Sequence, residues 1–182
     1  MNLTETSVSE FTKLLASQTS VPGGGGACAL AGSLGIALGD MVGEFTVGKK
    51  TYADVEAEMF RLMERAQALR EELLQCITED ATAFEPLSKA YGLPKDAPDR
   101  DRIMEQCLRD AAAVPMKILK LSCEALPILE AFAKKGSRIM VSDAATGAAL
   151  CHAAIRGAAM NVKVNTALMK DREYASRMDS ET

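Results

Sequence analysis

Aromatic side chains account for only 4% of the 182 residues, tryptophan is absent, and the chain has a single histidine, His152. One histidine argues against a histidine-based zinc site, and no metal centre is expected. Valine and isoleucine together number 16, thin support for a sheet, which favours branched and aromatic side chains. There is no basic block of the kind that follows a phosphate backbone. The 21 basic and 25 acidic residues leave a net charge of −4, so nucleic acid is not an expected partner. The five cysteines, at 28, 76, 107, 123 and 151, include no CxxC pair and no even framework. They read as reduced, mostly buried thiols of a cytoplasmic protein. The opening MNLTETSVSEF lacks the basic and apolar regions of a signal peptide. The longest uncharged apolar run, Ala27 to Gly39, has 13 residues, short of the roughly 20 needed to span a bilayer. The expectation is a soluble protein with no membrane contact.

What is abundant is alanine (29 residues) and methionine (10), a composition for helices packed closely through small residues. The length suits one domain, residues 1–182, with a core of its own. Ser7 with Glu10 forms a capping box ahead of a short helix carrying Phe11, Leu14 and Leu15. The run Pro22-Gly23-Gly24-Gly25-Gly26 reads as a break. A helix from Ala27 to about Val47 follows, with Ala27, Ala31, Gly35, Gly39 and Gly43 forming a side-chain-poor ridge every four residues. Only tertiary packing can hold so glycine-rich a helix. A third helix starts near Thr51, carries Met59, Leu62, Leu69, Leu73 and Ile77, and passes Asp80 and Phe84 before Pro86 disturbs it. Gly92 to Pro98 is a polar loop. A helix from about Asp99 meets Pro115, and then Pro127, each expected to kink or restart it. Ser142 is expected to cap a last long helix, whose column Ala149, Ala153, Gly157, Asn161 and Asn165 again repeats every four residues. The two small-residue ridges suggest helices that pack on each other or across a dimer axis.

Several residues carry chemistry with more than one reading. The glycine run before a helix is an anion cradle or a flexible turn. Gly43 to Lys50 approaches a P-loop but ends in lysine where magnesium needs Ser or Thr, and it follows a helix, so a nucleoside triphosphatase is rejected. Lys49 and Lys50 either complement a helix dipole or meet an anionic ligand. Asp40 and Glu44 share a helix face, and Arg156 could pair with them across an interface; His152 reads first as a packed side chain. Asp80 falls on the Leu73, Ile77 and Phe84 side of its helix, where desolvation moves a carboxyl towards the range of a general base.

Pro22-Gly23-Gly24-Gly25, Thr46-Val47-Gly48-Lys49-Lys50, Glu79-Asp80-Ala81-Thr82-Ala83-Phe84 with Leu93-Pro94-Lys95, and Ser142-Asp143 with Gly157 and Asn161 to Asn165 occur in order over about residues 7–170. Together they resemble the cyclodeaminase/cyclohydrolase family of folate enzymes. The resemblance implies an all-α, single-domain multihelical bundle with long buried Gly/Ala-rich helices, forming a homodimer. The implied substrate is tetrahydrofolate bearing a one-carbon unit at N5 or N10, with no cofactor beyond that folate and no metal. The resemblance implies two activities. Methenyltetrahydrofolate cyclohydrolase opens the N5–C–N10 ring with water to give 10-formyltetrahydrofolate. Formimidoyltetrahydrofolate cyclodeaminase closes it and expels ammonia. The absence of an attached formiminotransferase domain tilts the expectation to the cyclohydrolase. A non-catalytic dimer that binds folate or a protein partner is the alternative from another class. The family's proton acceptor carries over to Asp80, and its basic pair to Lys49 and Lys50, which suit the glutamate tail. Gly23, Gly24 and Gly25 would let backbone approach the substrate, while Asp143, Asn161 and Asn165 would hydrogen-bond the pterin.

Overall fold

The computed structural model describes residues 3–182. The described residues form helices, turns and loops, with no strand among them. Six α-helices follow in chain order: α1 (Val8–Leu15), α2 (Gly24–Glu44), α3 (Glu56–Tyr91), α4 (Arg100–Lys135), α5 (Val141–Thr166) and α6 (Arg172–Ser180). Ser7 caps α1 as its pattern requires, its hydroxyl accepting from the Glu10 N–H at 3.1 Å.

Helices α2 to α5 make an up-down-up-down bundle in which each packs on its chain neighbours and α5 closes back on α2. The register can be read from the glycines. Gly25 lies against Asp80, Gly32 against Leu73 and Gly43 against Met63, so α2 and α3 are antiparallel. Gly24 lies against Asn161, Cys28 against Gly157, and Gly35 against Gly147 and Cys151, so α2 and α5 are antiparallel as well. The two expected ridges take part in the α2–α5 seam only in places: Gly35 meets Gly147 and Cys151, and Gly157 and Asn161 meet Cys28 and Gly24, whereas Gly39 and Gly43 face Leu129, Phe132 and Met63, and Ala149 and Ala153 are exposed. Backbone approaches backbone closely there: a Cβ on Gly147 would stand 2.5 Å from the Gly35 carbonyl oxygen. The core behind this seam contains Ile36, Leu69, Leu73, Ile118, Leu129 and Phe132, all essentially inaccessible. The buried side of α2 is built mostly of small residues, Gly25, Gly26, Ala29, Gly32, Ser33, Gly35, Gly39 and Gly43, with Ile36 and Val42 among them, whereas Leu34 (52% exposed) and Phe45 (47%) look outward.

Five sequence-based expectations change. The glycine run is not a break, because α2 begins at Gly24 and Gly25 and Gly26 are buried in its first turn. Helix α2 also ends at Glu44 rather than near Val47. Its 21 residues make it long and apolar enough, by length and composition, to cross a membrane, which the 13-residue count missed; half of that stretch is buried inside the bundle. Ser142 does not cap α5, which starts at Val141, two residues earlier than such a cap requires, out of a 3₁₀ turn at Arg138–Met140.

The prolines are the fifth correction, since α3 runs through Pro86 and α4 through Pro115 and Pro127 without a break. A proline deprives the carbonyl four residues earlier of its donor. For Pro86 and Pro127 those carbonyls belong to Thr82 and Cys123, both at the exposed surface where water serves. For Pro115 the carbonyl belongs to Ala111, which is buried, and the Asn165 side-chain Nδ2 donates to it at 3.4 Å. Asn165 therefore repairs the helix that Pro115 would otherwise leave unsatisfied.

Candidate functional site

The first turn of α2, the last third of α3, the middle of α4 and the C-terminal part of α5 converge at one end of the bundle. They enclose an open cavity of about 220 Å³, with Ser20, Val21, Gly23, Gly24 and Gly25 on one wall. Asp80, Phe84 and Tyr91 from α3, Ala111 and Pro115 from α4, and Asn161, Val164 and Asn165 from α5 complete it. A second open cavity of about 530 Å³ adjoins it, sharing Ser20, Val21 and Phe84.

Asp80 is the one acidic residue of this lining. Its Oδ2 accepts the Gly26 N–H at 3.1 Å, so the carboxylate sits on the free N–H groups of the α2 N-terminus. Burial raises the Asp80 carboxyl above its ordinary value, and the Gly26 hydrogen bond pulls it back only in part. Its neighbour Glu79 has the opposite fate: it points to α4 and is neutralised by Lys117, with contacts of 2.8 and 3.0 Å. The α-helical turn thus gives one carboxylate to a surface ion pair and leaves the other half-buried without a cation. That is the environment of a proton acceptor. Near Asp80, burial and its negative charge push the Cys28 thiol up, so Cys28 stays a neutral packing group.

Gly25 explains how the carboxylate comes so close. A Cβ there would overlap the Asp80 carboxyl group, whereas a Cβ on Gly26 would find only ordinary contacts, 3.6 Å from Pro22 and 3.7 Å from Ile77. Two adjacent glycines therefore differ in purpose. Gly25→Ala is expected to expel the Asp80 side chain and lower turnover by about 10²-fold or more, the scale of a displaced acid–base group. Gly26→Ala is expected to gain up to about 1 kcal/mol of helix stability. Thermal unfolding and initial rates of the two purified variants separate these outcomes.

Asn161 and Asn165 hold their amide groups in place through the helix itself. Asn161 Nδ2 donates to the Gly157 carbonyl at 2.8 Å, and Asn165 Nδ2 to the Asn161 carbonyl at 2.9 Å as well as to Ala111. Each amide nitrogen is bonded to backbone, and both asparagines line the cavity, where their side-chain oxygens can accept. A Cβ on Gly24 would stand 3.0 Å from Asn161 Oδ1, so the missing side chain at Gly24 keeps this acceptor open.

The structure brings together Gly23, Gly24, Gly25, Asp80, Asn161 and Asn165. It does not bring Lys49, Lys50 or Asp143 to them within the chain. Lys49 and Lys50 follow the C-terminus of α2, about 30 Å of helix away from Gly24, and Asp143 lies in the first turn of α5, about 27 Å from Asn161. The antiparallel packing of α2 on α5 puts these three residues at the same, opposite end of the bundle. Lys49 rests over the Phe45 ring, 5.8 Å from its centroid, and both lysines are exposed. Asp40 is held by Arg70 at 3.7 Å, while Arg156 has no acidic partner among the described residues. Sequence reasoning missed Tyr91 and Pro115. The spacing Asp80, Phe84, Tyr91 is a single helix face, and it was hidden by the expectation that Pro86 disturbs the helix. Among the described residues no group of three or more His, Cys, Asp or Glu side chains is placed to hold a metal.

A four-helix bundle with a half-buried carboxylate seated on a helix N-terminus, beside two asparagine amides in an open cleft, defines a class of acid–base sites. The sequence model described as formiminotransferase-cyclodeaminase matches residues 7–182, and the chain belongs to that family. A methenyltetrahydrofolate cyclohydrolase of Methylorubrum extorquens is 37% identical over 172 residues, covering 92% of this chain and 83% of the relative. The mouse formimidoyltransferase-cyclodeaminase is 32% identical over 180 residues, 97% of this chain but only 33% of that longer protein. A crystal structure of formiminotetrahydrofolate cyclodeaminase from Thermotoga maritima superposes with a TM-score of 0.88 at 33% identity, covering 97% of this chain and 86% of that one.

Proposed function

We propose that the protein is a methenyltetrahydrofolate cyclohydrolase, with Asp80 as its proton acceptor. The observation that carries the reading is the unpaired, half-buried Asp80 carboxylate in the one cavity wall where amide acceptors also converge. The bacterial cyclohydrolase relative that spans nearly the whole chain supports the choice of reaction.

In this reading the pterin enters the cavity between α2 and α5. Its amino and N–H edge donates to the side-chain oxygens of Asn161 and Asn165, and the backbone of Gly23 to Gly25 allows it to approach. Water attacks the methenyl carbon, which is electrophilic because it is bonded to both N5 and N10 in a cationic amidinium. As the C–O bond forms, the Asp80 carboxylate takes a proton from the water. The tetrahedral intermediate then collapses, the C–N5 bond breaks, and the proton held by Asp80 is available to N5. The product is 10-formyltetrahydrofolate, with one proton released overall. No step needs a metal or a second cofactor.

The structural likeness to a cyclodeaminase favours one second reading. There the N10 nitrogen is the nucleophile on a formimino carbon, Asp80 takes the N10 proton, and the amino group leaves as ammonia. Lys49 and Lys50 are assigned to the anionic glutamate tail, and the working unit is taken to be a water-soluble cytoplasmic homodimer. Absorbance of the methenyl chromophore tests the choice. Enzyme-dependent loss of signal from 5,10-methenyltetrahydrofolate, beyond the spontaneous rate, is the expected result. Gain of signal with ammonia release from 5-formiminotetrahydrofolate would select the cyclodeaminase, and silence with both would leave only a binding role.

A further inference from the structure

We infer that the Ala111 main-chain carbonyl is a further acceptor for the substrate, and that Pro115 is the residue that frees it. The inference rests on the folate reading above and adds a backbone group to the site.

The three prolines inside helices are not alike. Pro86 and Pro127 are exposed, and so are Thr82 and Cys123, whose carbonyls they deprive of a donor. Pro115 is buried and lines the cavity, as does Ala111 one turn earlier. A helix carbonyl points along the axis towards the residue four positions on. The Ala111 oxygen therefore lies between two residues of the cavity wall, with a pyrrolidine ring where its N–H donor would be. A proline in a helix interior is destabilising, and so is a buried carbonyl that has lost its helix partner. Helix α4 accepts both at the point where it borders the cavity.

Asn165 meets this carbonyl only in part. Its Nδ2 reaches Ala111 at 3.4 Å, the longer limb of a shared donor whose shorter bond, at 2.9 Å, goes to the Asn161 carbonyl. A carbonyl oxygen has two lone pairs, and the Asn165 contact takes up one. The same contact fixes the Ala111 oxygen beside the Asn165 side chain, one helical turn from Asn161. Two amide oxygens on α5 and a backbone oxygen on α4 thus share one wall of the cavity. The pterin carries the complement on a single edge, with two N–H bonds on its 2-amino group and one at N3. A main-chain oxygen suits this task because it has no rotamer to lose and cannot turn a donor towards the ligand.

Pro115→Ala returns an N–H to the helix and so withdraws the acceptor from the cavity without adding charge or bulk. Two changes of opposite value are expected together. The variant should melt at least about 3 °C above wild type, because the helix regains a bond and loses a proline. Its KM for 5,10-methenyltetrahydrofolate should rise about 10-fold with kcat within about twofold, because the pterin edge is remote from the reacting carbon. Pro115→Val restores the same N–H while keeping bulk near that of the ring, and it should raise KM alike. Pro127→Ala, outside the cavity, should gain stability with KM unchanged. An unchanged KM in Pro115→Ala would overturn the inference. A normal KM in Pro115→Val would also overturn it, by tracing the effect to the lost ring, and so would a Pro115→Ala chain that melts no higher than wild type. Wild type inert towards both folates would remove the folate reading and this inference with it, whereas an active wild type with a normal KM in the variant removes this inference alone.

Discussion

Asp80→Asn should lower kcat by about 10²- to 10⁴-fold, the range for removal of a positioned acid–base group. The Asn variant should nevertheless fold. The side chain is nearly isosteric, and its amide oxygen can still accept from the Gly26 N–H. Stability should move in the opposite direction from activity. Burial raises the Asp80 carboxyl in the folded chain above its unfolded value, so the folded state prefers the protonated form. The sign follows by linkage: this preference contributes stability below the ordinary aspartate range and is lost as pH rises through the raised folded value. A neutral asparagine escapes that loss. The variant should therefore melt above wild type near pH 7, and the difference should vanish in acid. For the same reason the acid limb of the wild-type rate should lie above the usual carboxylate range. Calorimetry at several pH values, paired with pH–rate profiles, would show both. A variant with unchanged kcat would remove Asp80 from the chemistry.

Gly147→Ala carries the largest expected effect on stability. The new methyl would meet the Gly35 carbonyl oxygen at 2.5 Å and Leu129 at 2.9 Å. A leucine tip can move, but the carbonyl belongs to the backbone of a helix packed on three others. Alanine gains about 1 kcal/mol of helix propensity over glycine, which does not offset forcing α2 and α5 apart. Overpacking of this kind costs about 1–3 kcal/mol and often more where backbone must shift. For a chain of this size that corresponds to a melting temperature lower by about 3–10 °C. Gly92→Ala is the control, since its nearest contact lies at 3.4 Å and a loss there should be small.

These two positions also show how much was legible beforehand. The ridge of Ala and Gly every four residues is a periodic signal, and it marked Gly35, Gly39 and Gly43 as buried, with Gly35 against α5 and Gly39 and Gly43 against α3 and α4. The Leu73, Ile77, Phe84 face likewise placed Asp80 on the apolar side of α3. Periodicity survives because it reports which face is buried, and burial is what the fold maximises. Local rules fared worse. A glycine run has the propensity of a turn, yet Gly24 to Gly26 are helical because Asp80 supplies a hydrogen-bond acceptor to that turn and excludes any side chain from Gly25. Proline breaks a helix only where the freed carbonyl goes unsatisfied, and at Pro115 that depends on Asn165, 50 residues later. The positions of Lys49, Lys50 and Asp143 relative to Asp80 were not legible at all. Which end of a helix meets which depends on the antiparallel packing of the whole bundle.

The bond from Asn165 to the Ala111 carbonyl ties two positions together as a matter of descent. A lineage that replaces Pro115 regains a backbone donor and is then free to vary Asn165, as far as the helix is concerned. A lineage that keeps Pro115 but loses the amide leaves a buried carbonyl orphaned. The two sites are therefore expected to drift as a pair, and a substitution at one is best judged in the background of the other.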